Sequence, residues 1–174
     1  MQEIYGINLS TSATSIITNK VSQAATEWQN RPLDNLYMIV WMDDIVFKVR
    51  ENGKVINKTV YLCVGLNKEG LKEVLGMWIG KNESAAFWLG VLTDLKARSV
   101  EDILTTVTDK LNGFTETIKS VFPASITQIC VVHQIRNSCR HVVWKEKKEF
   151  TADLSNIYNA PIKEAVEMEL DNFE

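Results

Sequence analysis

Acidic side chains interrupt the most apolar run of the sequence and are the first candidates for chemistry. Asp43 and Asp44 stand in the middle of YMIVWMDDIVFKV (37–49), and Asp109 directly follows the apolar segment DILTTVT (102–108). A carboxylate in a buried strand is costly unless it is paired, hydrogen-bonded or bound to a cation. If the two segments are neighbouring strands, the carboxylates converge into an oxygen-rich site for Mg²⁺ or Mn²⁺. Two such ions, about 3.5–4 Å apart, can promote phosphoryl transfer.

The same aspartates also have a purely structural interpretation. Asp43 or Asp44 can be a surface residue of an edge strand, and Asp109 can cap the loop that follows it. Side chains alternate between the two faces of a strand, so Asp43 and Asp44 point to opposite faces. The spacing does not tell which of them belongs with Asp109, and both interpretations stay open at this point.

Cysteine, histidine and basic residues cluster towards the end of the sequence. Cys130 and His133 have the spacing of a ligand pair, but His141 is the only other histidine and Cys139 lies in a different register, so a zinc site is weakly supported. A basic set follows His133: Arg136, Arg140, His141, Lys145, Lys147 and Lys148. A run of this kind is either a solvated face or a surface that contacts phosphates.

Bulk properties restrict the class of protein. The chain has 174 residues, 45% hydrophobic and 24% charged, with a net charge of −3, which fits one folded domain with at most a small appendage. No stretch approaches the roughly 20 apolar residues of a membrane span, and MQEIYGINLS has no secretory pattern. Three cysteines at irregular spacing suit reduced thiols. We therefore expect a cytoplasmic protein without membrane association.

The hydrophobic pattern predicts the elements that position these residues. Helical spacing after Ser10 indicates an opening helix, which is either an ordinary packing helix or the recognition helix of a helix-turn-helix. Three strands (37–49, 55–66 and 73–79) joined by turns then form an antiparallel meander. The order continues with a helix capped by Asn82, strand 102–108, a helix after Gly113, strand 126–132, a basic helical stretch, and an acidic helical tail with Ile162, Val166, Leu170 and Phe173 inward.

This order, β-β-β-α-β-α-β-α, predicts an α/β fold with a mixed sheet and helices on both sides. Few architectures share it, and the ribonuclease H-like fold is the leading one.

Three segments, 31–80, 82–118 and 130–148, resemble the Mutator-type transposases of bacterial insertion sequences. The resemblance is collinear from about residue 4 to residue 174. It implies a partial helix-turn-helix over 1–32, a ribonuclease H-like catalytic core over 33–150 and the start of a helical insertion over 151–174. It also implies a metal-dependent enzyme that cuts and joins DNA strands, with transposon terminal inverted repeats and target DNA as partners, and a homo-oligomer.

The resemblance assigns roles to particular residues. The frame WMDDIVFKVR (41–50) places the first aspartate of the family's DDE triad at Asp43, with Asp44 where the family usually has a small residue, and the second aspartate is Asp109. Both would bind Mg²⁺ or Mn²⁺. His133 of the Cys-x-x-His motif is expected beside the scissile phosphate, and Cys130 in a strand packing under the site. The DNA-contacting set is Arg136, Arg140, Lys145, Lys147 and Lys148.

The sequence departs from the family pattern at the third carboxylate of the triad, for which it offers no matching glutamate. The family's catalytic glutamate follows a helical insertion, and the tail glutamates (Glu164, Glu167, Glu169 and Glu174) read as the solvated start of that insertion. We therefore expect a fragment or a truncated product without full strand-transfer activity. A non-catalytic DNA-binding or self-associating remnant is the alternative; a free-standing ribonuclease H-like nuclease fits the strand order but not the motifs.

Overall fold

A computed structural model describes residues 10–80, 84–109 and 113–173. The strands are β1 (Leu36–Glu51), β2 (Lys54–Asn67), β3 (Lys72–Gly80), β4 (Asp102–Thr108) and β5 (Ile126–Ile129). The helices are α1 (Thr11–Gln29), α2 (Ala85–Ala97), α3 (Phe114–Val121), α4 (Val131–Ser138), α5 (Lys147–Tyr158) and α6 (Lys163–Asp171), and a 3-10 turn, Cys139–His141, follows α4. Within the described ranges, no helix is long and apolar enough to span a membrane.

The five strands form one mixed sheet in the order β3-β2-β1-β4-β5. The β1–β2 and β2–β3 pairs are antiparallel, whereas β1–β4 and β4–β5 are parallel. Asn52 and Gly53 both have positive φ, 50° and 75°, which suits the tight turn between β1 and β2. A three-strand meander extended by two parallel strands on the β1 side is the ribonuclease H-like topology, so the predicted fold class is confirmed.

The buried core lies on one face of the sheet. Alternate β1 residues, Val40 and Met42, are buried there opposite Gly65 and Cys63 of β2. Helices α2 and α3 cover this face, and Trp88 of α2 stacks on Phe114 of α3 with ring centroids 4.7 Å apart. The aromatic packing fixes the two helices against the strands that carry the candidate site.

The opposite face is less covered than predicted. Its residues, which include Ile39, Trp41, Leu62 and Val64, are only half-buried. The expectation of helices on both sides was wrong for the described residues, because α4, α5 and α6 pack mainly against one another; Phe150 and Phe173, for example, have ring centroids 5.4 Å apart.

The opening helix begins where the sequence predicts and docks only at its end. The Ser10 hydroxyl accepts a hydrogen bond from the Ala13 amide at 3.1 Å, as an N-cap does. After α1, Arg31 donates to the Val74 carbonyl at 2.7 Å and pairs with Glu73 at 3.1 Å on β3. Residues 1–9 of the predicted helix-turn-helix region lie outside the described residues, and the domain boundaries at 32 and 150 stay predictions.

Three local predictions differ from the structure. The strand expected over 126–132 ends at Ile129, because its neighbour β4 ends at the paired residue Thr108. Ser84 caps α2 with its hydroxyl 3.1 Å from the Phe87 amide; Asn82, the predicted cap, lies outside the described residues. The tail forms two helices rather than one.

The predicted inner face of the tail was therefore wrong in part. Ile162 and Leu170 are exposed, whereas Val166 and Phe173 are half-buried. The break between α5 and α6 contains Pro161, which disfavours helical geometry in the residue before it and so shifts the register of the apolar positions.

Candidate metal and phosphate site

The sheet register brings Asp43 and Asp109 to the same level. The parallel ladder pairs Trp41 of β1 with Val107 of β4, and each aspartate lies two residues further along its chain. Because side chains two residues apart share a face of a strand, Asp43 stands on the face that carries Trp41, and Asp109 lies at the same level, one residue past the end of β4. Strand β1 continues to Glu51 while β4 stops at Thr108, so this level is where β1 loses its parallel neighbour.

Asp44 occupies the core-side face and is still close to this pair. It lies opposite Tyr61 on β2 and is partly buried. Burial raises the pKa of the Asp44 carboxyl, the negative charges of Asp109 and Asp43 raise it further, and His133 acts in the opposite direction. Three carboxylates, those of Asp43, Asp44 and Asp109, therefore lie near the end of β4. A bound cation would reduce the repulsion between them.

His133 of α4 faces the first aspartate. Its Nε2 atom is 3.7 Å from Asp43 Oδ1, and the imidazole is 22% exposed against 54% for the Asp43 side chain. Its Nδ1 atom is buried and has no hydrogen-bond partner among the described residues. Asp43 Oδ1 also accepts the Asp44 amide at 2.8 Å, which helps to orient the carboxylate. The structure thus brings together Asp43, Asp109 and His133, which are far apart in sequence.

Cys130 does not lie in a strand, as was expected, but at the N-cap of α4. Its amide donates to the Thr108 carbonyl at 2.8 Å, and its own carbonyl accepts the Gln134 amide at 2.9 Å. The prediction failed because Val131 and Val132, although β-branched, follow the point where β4 no longer offers a partner. Cys130 therefore acts through its backbone, which links the end of β4 to the start of α4.

The basic residues spread over several elements rather than one helix. Arg136 lies in α4 and Arg140 in the 3-10 turn; Lys145 lies in the following loop, and Lys147 and Lys148 begin α5. All are exposed except Lys147, which is half-buried. Across the described ranges, none of the five forms an ion pair with a carboxylate. Their charges are available to an external anion.

The donor set suits a hard divalent cation but is incomplete. Carboxylate oxygens are the ligands that Mg²⁺ and Mn²⁺ prefer. In residues 10–80, 84–109 and 113–173, however, no three His, Cys, Asp or Glu side chains are arranged to hold a metal ion. The described residues thus offer the carboxylates of Asp43 and Asp109 at one level, with no third side chain placed so that the three could hold a metal ion together.

The feature that sequence reasoning did not anticipate is the closeness of Asp44 to Asp109. Alternation places Asp44 on the opposite face from Asp43, so the sequence pattern suggests that only one of the two lies beside Asp109 and does not say which. The signal that could have found it is the position of Asp109 one residue past the end of β4, where a side chain is no longer confined to one face.

The fold is a ribonuclease H-like α/β domain, and it sets Asp43, within β1, level with Asp109, directly after the parallel strand β4. The profile described as "Transposase, Mutator family" matches residues 1–174. The chain therefore belongs to the Mutator family of transposases, and the resemblance inferred from the motifs is confirmed.

Curated relatives are transposases of bacterial insertion sequences. The chain is 44% identical over 174 residues to a probable transposase for insertion sequence element ISRM3-like from Sinorhizobium fredii. It is equally similar to the transposase for element ISRM3 from Rhizobium meliloti, and 29% identical over 159 residues to the transposase for element IS256 from Staphylococcus aureus. All of this chain, but only 44% of each of the first two relatives, is covered.

Solved structures give weaker similarities. The Mos1 transposase catalytic domain aligns over 96% of this chain and 92% of that chain, with 13% identity and a TM-score of 0.32. The Drosophila P element transposase strand transfer complex aligns over 65% of this chain and 30% of that chain, with 14% identity and a TM-score of 0.39. The fold assignment therefore rests on the strand order itself.

Proposed function

We propose that this chain forms part of a DNA phosphoryl-transfer site in which Asp43 and Asp109 hold Mg²⁺ or Mn²⁺. The observation that carries the proposal is the shared level of the two aspartates, Asp43 on β1 and Asp109 directly after the parallel strand β4. Family membership supports the same assignment, since the relatives are named as transposases of insertion sequences. The substrates would be the element's terminal inverted repeats and the target DNA, handled by a homo-oligomer.

Each group of residues has a separate task in this proposal. A divalent cation held by Asp43 and Asp109 would neutralise phosphate charge and favour formation of an oxygen nucleophile. His133, held beside Asp43, would lie next to the scissile phosphate and offer its Nε2 atom to an oxygen there. The arginine and lysine residues of the basic set would contact the DNA backbone without reading its sequence. They are Arg136, Arg140, Lys145, Lys147 and Lys148.

Two aligned carboxylates without a third would bind metal weakly. Affinity for a hard cation falls as anionic ligands are removed. The described residues supply no third ligand, so we expect single-ion binding and little or no strand cleavage from this chain alone. Cleavage and strand transfer would require a further carboxylate, which the family pattern gives as a glutamate.

The lack of a third ligand among the described residues also favours a second candidate function. A domain that keeps the fold and the exposed basic residues but lacks a complete ligand set can bind DNA, or associate with other copies, without catalysis. The two candidates differ in metal dependence: the phosphoryl-transfer site requires the aspartates to bind a cation, whereas a binding remnant does not.

Mn²⁺ titration of the purified chain tests the proposal. The wild type, Asp43→Asn and Asp109→Asn are compared by calorimetry and thermal unfolding, with Asp153→Asn of α5 as an exposed matched control. At about ten times Kd, bound metal adds roughly 1.4 kcal/mol and raises Tm by about 3–6 °C. This gain should be kept by the control and lost in both site variants. Equal metal affinity in all four proteins would contradict the assignment.

A further inference from the structure

An exposed aromatic side chain lies in the middle of the basic set. Trp144 is 83% exposed, the largest exposed fraction among the large hydrophobic side chains of the described residues. It is one of the two central residues of a turn, because the Glu146 amide donates to the Val143 carbonyl at 2.9 Å. Helix α5 follows this turn directly, with the Phe150 amide donating to the Glu146 carbonyl. The hydrogen-bonded backbone of the turn thus leaves the indole of Trp144 on the surface.

No contact within residues 10–80, 84–109 and 113–173 explains this exposure. In the described residues, the Trp144 ring makes no aromatic or cation–π contact, unlike Trp28, Trp41 and Trp88. Leaving a large aromatic side chain in water forgoes much of the free energy that its burial would supply. A turn that displays a tryptophan is therefore better suited to an external partner than to folding.

The surrounding charge indicates a polyanionic partner. Residues 136–148 contain five arginine and lysine residues but one acidic residue, Glu146, in a chain whose net charge is −3. The basic side chains on both sides of the tryptophan, Arg140 and Lys145, are exposed and free of ion pairs in the described ranges. Interleaved cations and an exposed aromatic ring are what proteins use to hold the backbone and stack the bases of unpaired nucleic acid.

We propose that Trp144 is a stacking site for an unpaired DNA base, with Arg140 and Lys145 holding the flanking phosphates. The proposal deepens the proposed function, on which it rests, by naming a single-stranded segment of the DNA as the ligand of this surface. An unpaired base presents both faces to an indole, whereas a duplex presents its bases only edge-on. Side chains that wedge into a duplex are instead typically aliphatic or phenylalanine.

Affinity for two forms of one DNA sequence tests this site. A labelled 20-nucleotide strand and its duplex are titrated with the full chain at low salt, followed by fluorescence anisotropy. Trp144→Ala should weaken binding of the single strand by about 5- to 150-fold and leave duplex binding unchanged. Trp144→Phe, which keeps a ring, should recover most of the loss. Val143→Ala, which truncates the neighbouring side chain of the turn (65% exposed), is the matched control.

Abasic DNA separates stacking from other effects. On a strand lacking bases, Trp144→Ala and the wild type should bind equally, because the partner of the indole is gone. Lys145→Ala should weaken binding to both strand forms and reduce its salt dependence. An unchanged affinity of Trp144→Ala for the single strand, or an equal loss on single strand and duplex, would overturn the stacking site while leaving the proposed function standing. Absence of wild-type binding to either form would overturn both.

Discussion

Replacing Asp44 with asparagine should stabilise the chain at neutral pH when divalent cations are chelated. Burial raises the pKa of this carboxyl above its ordinary value of 3.8, and the charges of Asp109 and Asp43 raise it further. The folded state therefore binds the Asp44 proton more tightly than the unfolded state does. Ionisation of Asp44 lowers the free energy of unfolding as pH rises from about 4, and the penalty is complete above the folded-state pKa.

The size of this penalty follows from the sheet geometry. Neighbouring strands lie about 4.8 Å apart, and two like charges about 5 Å apart repel by roughly 0.8 kcal/mol in water. Partial burial increases this energy and salt reduces it. Asp44→Asn should therefore gain about 1 kcal/mol at pH 7, which raises the Tm of a domain of this size by roughly 2–4 °C.

Thermal unfolding from pH 4 to pH 8 in the presence of a chelator measures this effect. The difference in Tm between Asp44→Asn and the wild type should widen with pH and then level off. Asp153→Asn, an exposed aspartate on α5, should show no such trend. A variant less stable than the wild type at pH 7, or a difference that does not change with pH, would refute the view that ionised Asp44 destabilises the folded state.

Three further substitutions test the packing that holds the site, each by urea denaturation. Trp88→Ala should cost about 3–5 kcal/mol, because it removes the fully buried ring stacked on Phe114. Tyr37→Phe should cost about 1.5–3 kcal/mol, since the hydroxyl donates to Glu73 at 2.6 Å. Gly65→Ala should cost about 1–3 kcal/mol, because its Cβ would lie 2.6 Å from the Tyr37 ring. A free energy of unfolding within about 0.5 kcal/mol of the wild-type value would contradict the explanation given for that residue.

Much of the sheet could be predicted because local signals agreed with the fold. The turn at Asn52-Gly53 demands positive φ at both residues, and the structure has it. The apolar runs on either side of this turn are long enough to pair over their full length, from Arg50–Val55 back to Tyr37–Asn67. These signals lie within one hairpin, so no long-range information is needed to read them.

The end of the domain could not be predicted in the same way. The pattern of residues 126–132 predicts a strand to Val132, but a strand continues only where a neighbour offers hydrogen bonds, and β4 stops at Thr108. The basic residues after His133 suggest one helix, yet the 3-10 turn and the loop at Trp144 divide them. Both errors arise because the conformational preference of a residue does not show where the neighbouring strand or helix ends.

The positions at which β4 and β5 end also determine which side chains lie near Asp43. Sequence alternation leaves Asp43 and Asp44 equivalent, and the resemblance favours Asp43. The parallel register, which ends at Trp41–Val107, supports that proposal because it sets Asp43 level with Asp109. The early end of β5 also matters here. Had β5 run on to Val132, His133 would lie beyond the sheet edge, but because the chain becomes helical at Val131, His133 comes within 3.7 Å of Asp43. The failed strand prediction and the proximity of these two side chains therefore have one cause.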